Sequence, residues 1–204
     1  MRQLIAALRG LLIFTVICGI AYPLIMFGIS QVAFNKQANG SLLRFHGRVV
    51  GSSLLCQEFL GAKGKPRPQY FQPRPSASAT SATNQTGGCD PLASEGSNLG
   101  PNNPVLVTDI KQRIKQIEKF DDVPASAIPP DAVTVSASGL EAYISPQNAA
   151  IQVNRVAAAR HISPATVRAL VKRYTFGRQL GFLGEPGVNV LLLNIALDKH
   201  DPVP

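Results

Sequence analysis

The chain has 204 residues, with twenty Lys and Arg against twelve Asp and Glu, a formal charge of +8 and no Trp. That length suits one substantial core, and the basic balance invites nucleic acid, anionic lipid or an acidic partner. Nucleic acid is excluded as a reading because the charges are scattered and no stretch interleaves basic residues with stacking aromatics. His46, His161 and His200 lie far apart, with no CxxC, HxxxH or acidic cluster beside them, which argues against a metal site.

Residues 1–9 form a short basic tail carrying Arg2 and Arg9. The next twenty, Gly10 to Ile29, contain no charged side chain. At about 1.5 Å of rise per residue such a helix spans roughly 30 Å, the thickness of a bilayer's hydrocarbon core. A cleaved signal peptide shares the basic start, but its apolar region is usually ~7–15 residues and ends at a small-x-small site. Here Gln31 stands where a small residue belongs. The sequence therefore predicts a retained anchor over 10–33, followed by one domain over 35–204.

Pro23 has no N–H for the Gly19 carbonyl, so the helix should loosen or kink there, and in lipid that carbonyl needs a partner. Gly19, Ala21 and Gly28 would admit a neighbouring helix but form no GxxxG pair. Gly and Pro are also ordinary in membrane helices, so a contact face and plain composition both stay open. The positive-inside count is nearly balanced, Arg2 and Arg9 against Lys36 and Arg44. The dense basic tail tips the expectation to a cytoplasmic N-terminus, with residues from about 35 onward outside. The domain then carries all twelve acids and eighteen of the bases, a net +6.

After a turn at Asn39-Gly40-Ser41, Leu42 to Leu55 reads as two short strands around Gly47 and Gly51. Gly61 to Gln69 is basic and proline-rich but is no phosphate loop: two residues, not four, separate Gly61 from Gly64-Lys65, and Pro66 replaces the hydroxyl residue. The 61–104 stretch is a long Pro/Gly/Ser-rich loop. Its low-complexity tip, Ser76 to Thr86, favours disorder, while the Asn98, Asn102 and Asn103 flank builds turns and presents a surface.

Leu106, Ile110, Ile114 and Ile117 then share one face, predicting an amphipathic helix over 105–120 with that face against the core. Val133 to Ser136 reads as a short strand. Ser145-Pro146 and Ser163-Pro164 each place a hydroxyl at an N-cap and proline at the first helical position. The predicted helices run to about Arg160, with Ile151, Val153, Val156 and Ala157 inward, and to about Tyr174, with Val167, Leu170 and Val171 inward. His161 falls in their connection. Gly187 to Leu197 is a near-continuous apolar run that suits a buried strand with a short helical end.

Cys18 sits in the anchor; Cys56 and Cys89 either form one disulfide, which an outside location permits, or stay free. No GxSxG, HExxH or DKTG-type segment carries a catalytic constellation. The residues alone thus describe an α+β protein: one N-terminal transmembrane helix and a mixed α/β accessory or binding domain.

Several blocks carry a resemblance. They are Tyr70-Phe71 with Arg74-Pro75-Ser76-Ala77, Pro91 to Ser94, and Gly96 to Pro101 with Asn103-Pro104. Val133-Thr134, Ser136 to Leu140, Ile144-Ser145-Pro146, and Gln152-Val153 with Arg155-Val156-Ala157 and Ala159-Arg160 follow. Val188-Asn189, Leu193-Asn194 and Ala196 to Asp198 complete the set, with Tyr22-Pro23 and Gln37 to Leu42 at the anchor. In this order, over essentially the whole chain, they resemble the C subunit of the Kdp-type potassium-transporting P-type ATPase of prokaryotes. Departures are Cys89-Asp90-Pro91 where the family has Tyr-Asn-Pro, Cys56 where it has Gly, and a longer, more basic 61–69.

The resemblance implies a single-pass subunit of the plasma membrane without chemistry or cofactor of its own. It would assemble with a channel-like potassium-binding subunit and an ATP-hydrolysing P-type subunit, where the complex's ATP is used. The family is described as a catalytic chaperone raising ATP affinity. An outside domain cannot meet cytoplasmic ATP, so assembly and stabilisation are the stronger expectation, with a cover over the outer potassium entrance as a further one. Arg74, Ser76, Ser97, Asn98 and Asn103 are then expected as interface or loop-building residues, and Gly19, Tyr22 and Pro23 as helix-packing ones. A membrane-anchored extracytoplasmic enzyme and a solute-binding or sensor domain are the competing readings.

Overall fold

Residues 2–33 run as one uninterrupted helical rod in the computed structural model, which describes residues 1–61, 64–78 and 88–202. The rod is α1 (Arg2–Val16), a π turn (Ile17–Ala21) and α2 (Tyr22–Ala33). None of its side chains is buried, and it is long and apolar enough to cross a membrane. It starts eight residues before the apolar run, because Arg2 to Arg9 continue the same backbone. The loosening expected at Pro23 takes the form of the π turn: the Tyr22 N–H reaches back five residues to the Ile17 carbonyl. Pro23 thereby sits in the first turn of α2, where its missing N–H is not needed.

By its internal contacts the chain divides into two compact units, Met1–Leu42 and Leu43–Pro204. The first also holds a short α3 (Asn35–Ala38). Next, β1 (Leu42–Phe45) and β2 (Arg48–Ser52) pair across His46-Gly47, whose positive φ values of 48° and 79° are those a type I′ hairpin turn requires.

The second unit's helices follow their caps. Asn103 accepts from the Val105 N–H and starts α4 (Pro104–Asp121). Ser145 accepts from the Asn148 N–H and starts α6 (Pro146–Arg160); Ser163 does the same for Thr166 in α7 (Pro164–Arg173). His161, in the left-handed region at φ 56°, closes α6. Between α4 and α6 lie a 3-10 turn (Ala125–Ala127) and the single turn α5 (Pro130–Val133). A three-stranded antiparallel sheet orders β3 (Tyr143–Ile144), β5 (Gly187–Asn189) and β4 (Thr175–Phe176) with β5 in the centre, Ile144 and Thr175 both opposite Val188. The core gathers Val153, Val156 and Ala157 of α6, Val167 and Val171 of α7, Val188 of β5, and Leu193 and Leu197 of α8 (Val190–His200) around Phe71.

Four expectations need correction. The 133–136 strand is absent: Pro130 opens a helical turn, Thr134 Oγ1 donates back to the Pro130 carbonyl, and the Ser136 N–H is used by the Pro75 carbonyl. The 187–197 run is three residues of strand and then helix, because Asn189 accepts from the Leu192 N–H and caps α8. A helix buried on most sides is apolar all round and cannot be told from a strand by periodicity. The apolar face of α4 lies outside the main core, and Leu106, Ile110, Ile114 and Ile117 are only half-buried, as is Ile151 of α6. Finally, Ser76 and Ser78 are buried and bonded; residues 79–86 of the expected disordered tip lie outside the described residues.

A side-chain-clamped loop as candidate interaction site

Between Ser53 and Asn103 the described residues contain no α-helix, and only one isolated bridge, Leu60 to Pro66. Yet Tyr70 and Phe71 are buried, with Phe71 fully enclosed. Buried backbone without a ladder needs other partners, and side-chain amides supply them. Asn194 of α8 accepts from the Phe71 N–H and donates to its carbonyl, both at 2.9 Å. Gln152 of α6 treats Gln72 in the same way, at 2.8 and 3.2 Å. Gln72 passes the pattern on by donating from Nε2 to the Phe59 carbonyl at 3.0 Å.

Two buried arginines hold the approach. Arg155 pairs with Asp121 at 2.7 Å, donates to the Pro68 and Tyr70 carbonyls and stacks on Phe120. Arg160 pairs with Asp198 at 2.6 Å, donates to the Gln69 and Asp201 carbonyls and lies over the Tyr70 ring. Burial pushes the Asp121 carboxyl up and the Arg155 guanidinium down, with their mutual attraction opposing both. Burial, then the Asp198 carboxylate, pushes the Tyr70 phenol up.

The loop's far end is pinned as firmly. Ser76 Oγ donates to the Gly139 carbonyl at 2.8 Å, and Ser78 Oγ to the Gly88 carbonyl at 2.8 Å. Gly139, at φ 72°, has no room for a side chain, since a Cβ would sit 2.6 Å from the Glu95 carbonyl oxygen. Cys56 and Cys89 are joined by a disulfide with 5.8 Å between Cα atoms. Glu58 accepts from the Cys89 N–H, and burial pushes its carboxyl up against that bond.

These contacts place the expected residues in different settings. Arg74 donates to the Thr134 carbonyl and lines a cleft of about 470 Å³ between the loop, α4 and α6. Ser76 lies on the same cleft and is buried, a loop-building residue. Asn103 is the α4 cap, a local role, and is not among the residues lining that cleft. Ser97 and Asn98 are exposed on the loop's outer limb, with Asn98 in the left-handed region at φ 50°. In the rod, Gly19 lies within the π turn and Tyr22 and Pro23 follow it, all exposed.

Gln152, Arg155, Arg160 and Asn194 stand in the blocks that carry the resemblance, but the sequence assigned them no site role. A signal was present: Asn148, Gln152 and Arg160 fall on the stripe of α6 that also carries Val156, and Asn194 interrupts the otherwise apolar run from Val190 to Leu197. Polar residues on a buried face are there to satisfy something. Among the described residues no group of three His, Cys, Asp or Glu converges as a metal site would require.

The family described as KdpC, K+-transporting ATPase, c chain, matches residues 4–199. The chain belongs to the KdpC family. It is similar to the potassium-transporting ATPase KdpC subunit of Mycobacterium tuberculosis, 48% identical over 199 residues, covering 97% of this chain and 98% of the relative. Similar too are the KdpC subunits of Methylococcus capsulatus, 49% identical over 192 residues, and Sorangium cellulosum, 52% over 192, each covering 94% of this chain and 95% of the relative. The clamps sit in blocks that carried the resemblance: Gln152 to Arg160 and Val188 to Asp198 hold the backbone of Tyr70, Phe71 and Gln72. Within the second unit, three of the KdpC-like blocks are thus joined in one contact network through Tyr70, Phe71 and Gln72.

Proposed function

We propose that this chain is the membrane-anchored accessory subunit of a potassium-transporting ATPase, without chemistry of its own, and that it acts by assembling and stabilising the complex. The observation that carries this reading is the 32-residue apolar helix that buries no residue within its own chain, in a member of the KdpC family. Such a surface asks for lipid and partner helices. The π turn before Pro23 makes the Gly19–Pro23 stretch the natural contact point with a channel-like potassium-binding subunit or an ATP-hydrolysing one. The outer limb of the loop is the second contact, offered at the exposed Ser97 and Asn98.

The N-terminus lies in the cytoplasm and the domain outside. The Cys56–Cys89 disulfide supports that orientation, since disulfides persist in oxidising compartments. A domain so placed does not touch ATP, and any effect on ATP affinity reaches the hydrolysing subunit through the assembly. It also stands on the side from which potassium enters, where it can cover the entrance.

The test is gentle detergent extraction of native membranes from potassium-starved cells, with pull-down on a C-terminal tag. Two larger membrane proteins with potassium-stimulated ATPase activity are expected to co-purify. A chain that emerges alone while the pump stays intact would sink the proposal.

A further inference from the structure

The connection from β4 to β5 closes on itself. Gln179 and Leu183 exchange both backbone hydrogen bonds at 2.9 Å, and Arg178 reaches Glu185 with two contacts of 2.7 and 2.9 Å. The tip between them, Leu180-Gly181-Phe182, is therefore a stiff turn. Its side chains break two local rules. Leu180 sits in the left-handed region at φ 51°, where Gly or Asn costs less, and is 82% exposed. Phe182 is 69% exposed beside it. Among the described residues nothing covers a leucine and a phenylalanine at that place, and rule-breaking residues concentrate where function demands them.

Below the tip lies a cleft of about 660 Å³. Its apolar wall is Tyr143 edge-on to Phe176, with Leu183; Gly187 gives Tyr143 its room, as a Cβ there would meet the ring at 3.2 Å. Its charged lining is Asp131, Glu141 and Glu185 against one guanidinium, Arg74. Among the described residues no cation forms an ion pair with Asp131 or Glu141. A net acidic cleft on a basic protein repels an anionic membrane surface and favours a cationic side chain.

We propose that this hairpin tip and the cleft beneath it dock a segment of another protein subunit, one that sets large apolar side chains beside a lysine or arginine. The inference rests on the accessory-subunit reading and adds to it a surface and its chemistry. The turn is already ordered, so docking loses little conformational entropy, and Leu180 and Phe182 enter as preformed anchors.

The experiment uses the full chain co-expressed with the ATPase. A photo-crosslinking benzoylphenylalanine at position 182 is expected to trap another subunit, and the same probe at the exposed Gln147 of α6 is not. The substitution Leu180→Asn suits the left-handed turn, so the purified protein should melt no lower than wild type. With Phe182→Ser added, recovery of ATPase subunits should fall roughly tenfold or more. Trapping only lipid at position 182 overturns the proposal, as does wild-type recovery by the double variant. If position 182 traps nothing while the wild-type chain recovers the ATPase, the docking face fails and the subunit reading survives. If the wild-type chain recovers none, both fail.

Discussion

Glu58 shows how one residue ties stability to pH. Burial holds its carboxyl above the ordinary glutamate value of 4.5, against the pull of the Cys89 N–H. The folded state therefore binds the proton more tightly than the unfolded chain. Its contribution is full below that ordinary value and is lost as pH rises through the native one. Glu58→Gln keeps the acceptor and stays neutral. It should raise the melting temperature at pH 7, with the difference vanishing below about pH 4.5; a lower melting temperature at both pH values would refute the account. The neighbouring disulfide acts on the same corner. Its 33-residue separation implies a loop-closure contribution of roughly 3–4 kcal/mol. A reductant should lower the urea midpoint of the wild type and leave a Cys56→Ser, Cys89→Ser variant unmoved.

At the scale of elements, the irregular loop behaves as a strand whose ladder is made of side chains. Asn194→Ala would leave both the N–H and the carbonyl of the enclosed Phe71 without partners. At about 1–3 kcal/mol for each group, the loss should come to roughly 2–6 kcal/mol by chemical denaturation. Asn194→Leu fills the volume but satisfies neither group, so it should fare no better; a rescue by leucine would assign the effect to packing instead. The α4 helix is the contrasting element. Its cap and periodicity are local, and its apolar face is only half-covered within the chain.

At the scale of the whole molecule, the question is which side of the membrane the second unit occupies. Protease added to intact spheroplasts should remove a C-terminal tag, while sealed inside-out vesicles protect it. The reverse pattern would place the domain in the cytoplasm and would also remove the oxidising compartment that the Cys56–Cys89 bond needs.

What the sequence determined by itself are the features set within a few residues of chain. The apolar rod, the turn at His46-Gly47 and the caps at Ser145 and Ser163 depend on neighbours no more than about four positions away. The family motifs were legible too, in order along the chain, but not what they do to one another. Only the tertiary structure decided that Phe71 belongs to the core, that Val133 to Ser136 is no strand, and that α8 begins at Val190. That Arg74 and Ser76 line one cleft with α4 and α6 is likewise visible only in three dimensions. The reason is distance in sequence: Asn194 reaches Phe71 across 123 residues and Gln152 reaches Gln72 across 80. Composition and periodicity report which residues want burial. Which backbone groups they satisfy once buried is set by how α6 and α8 pack together around the loop.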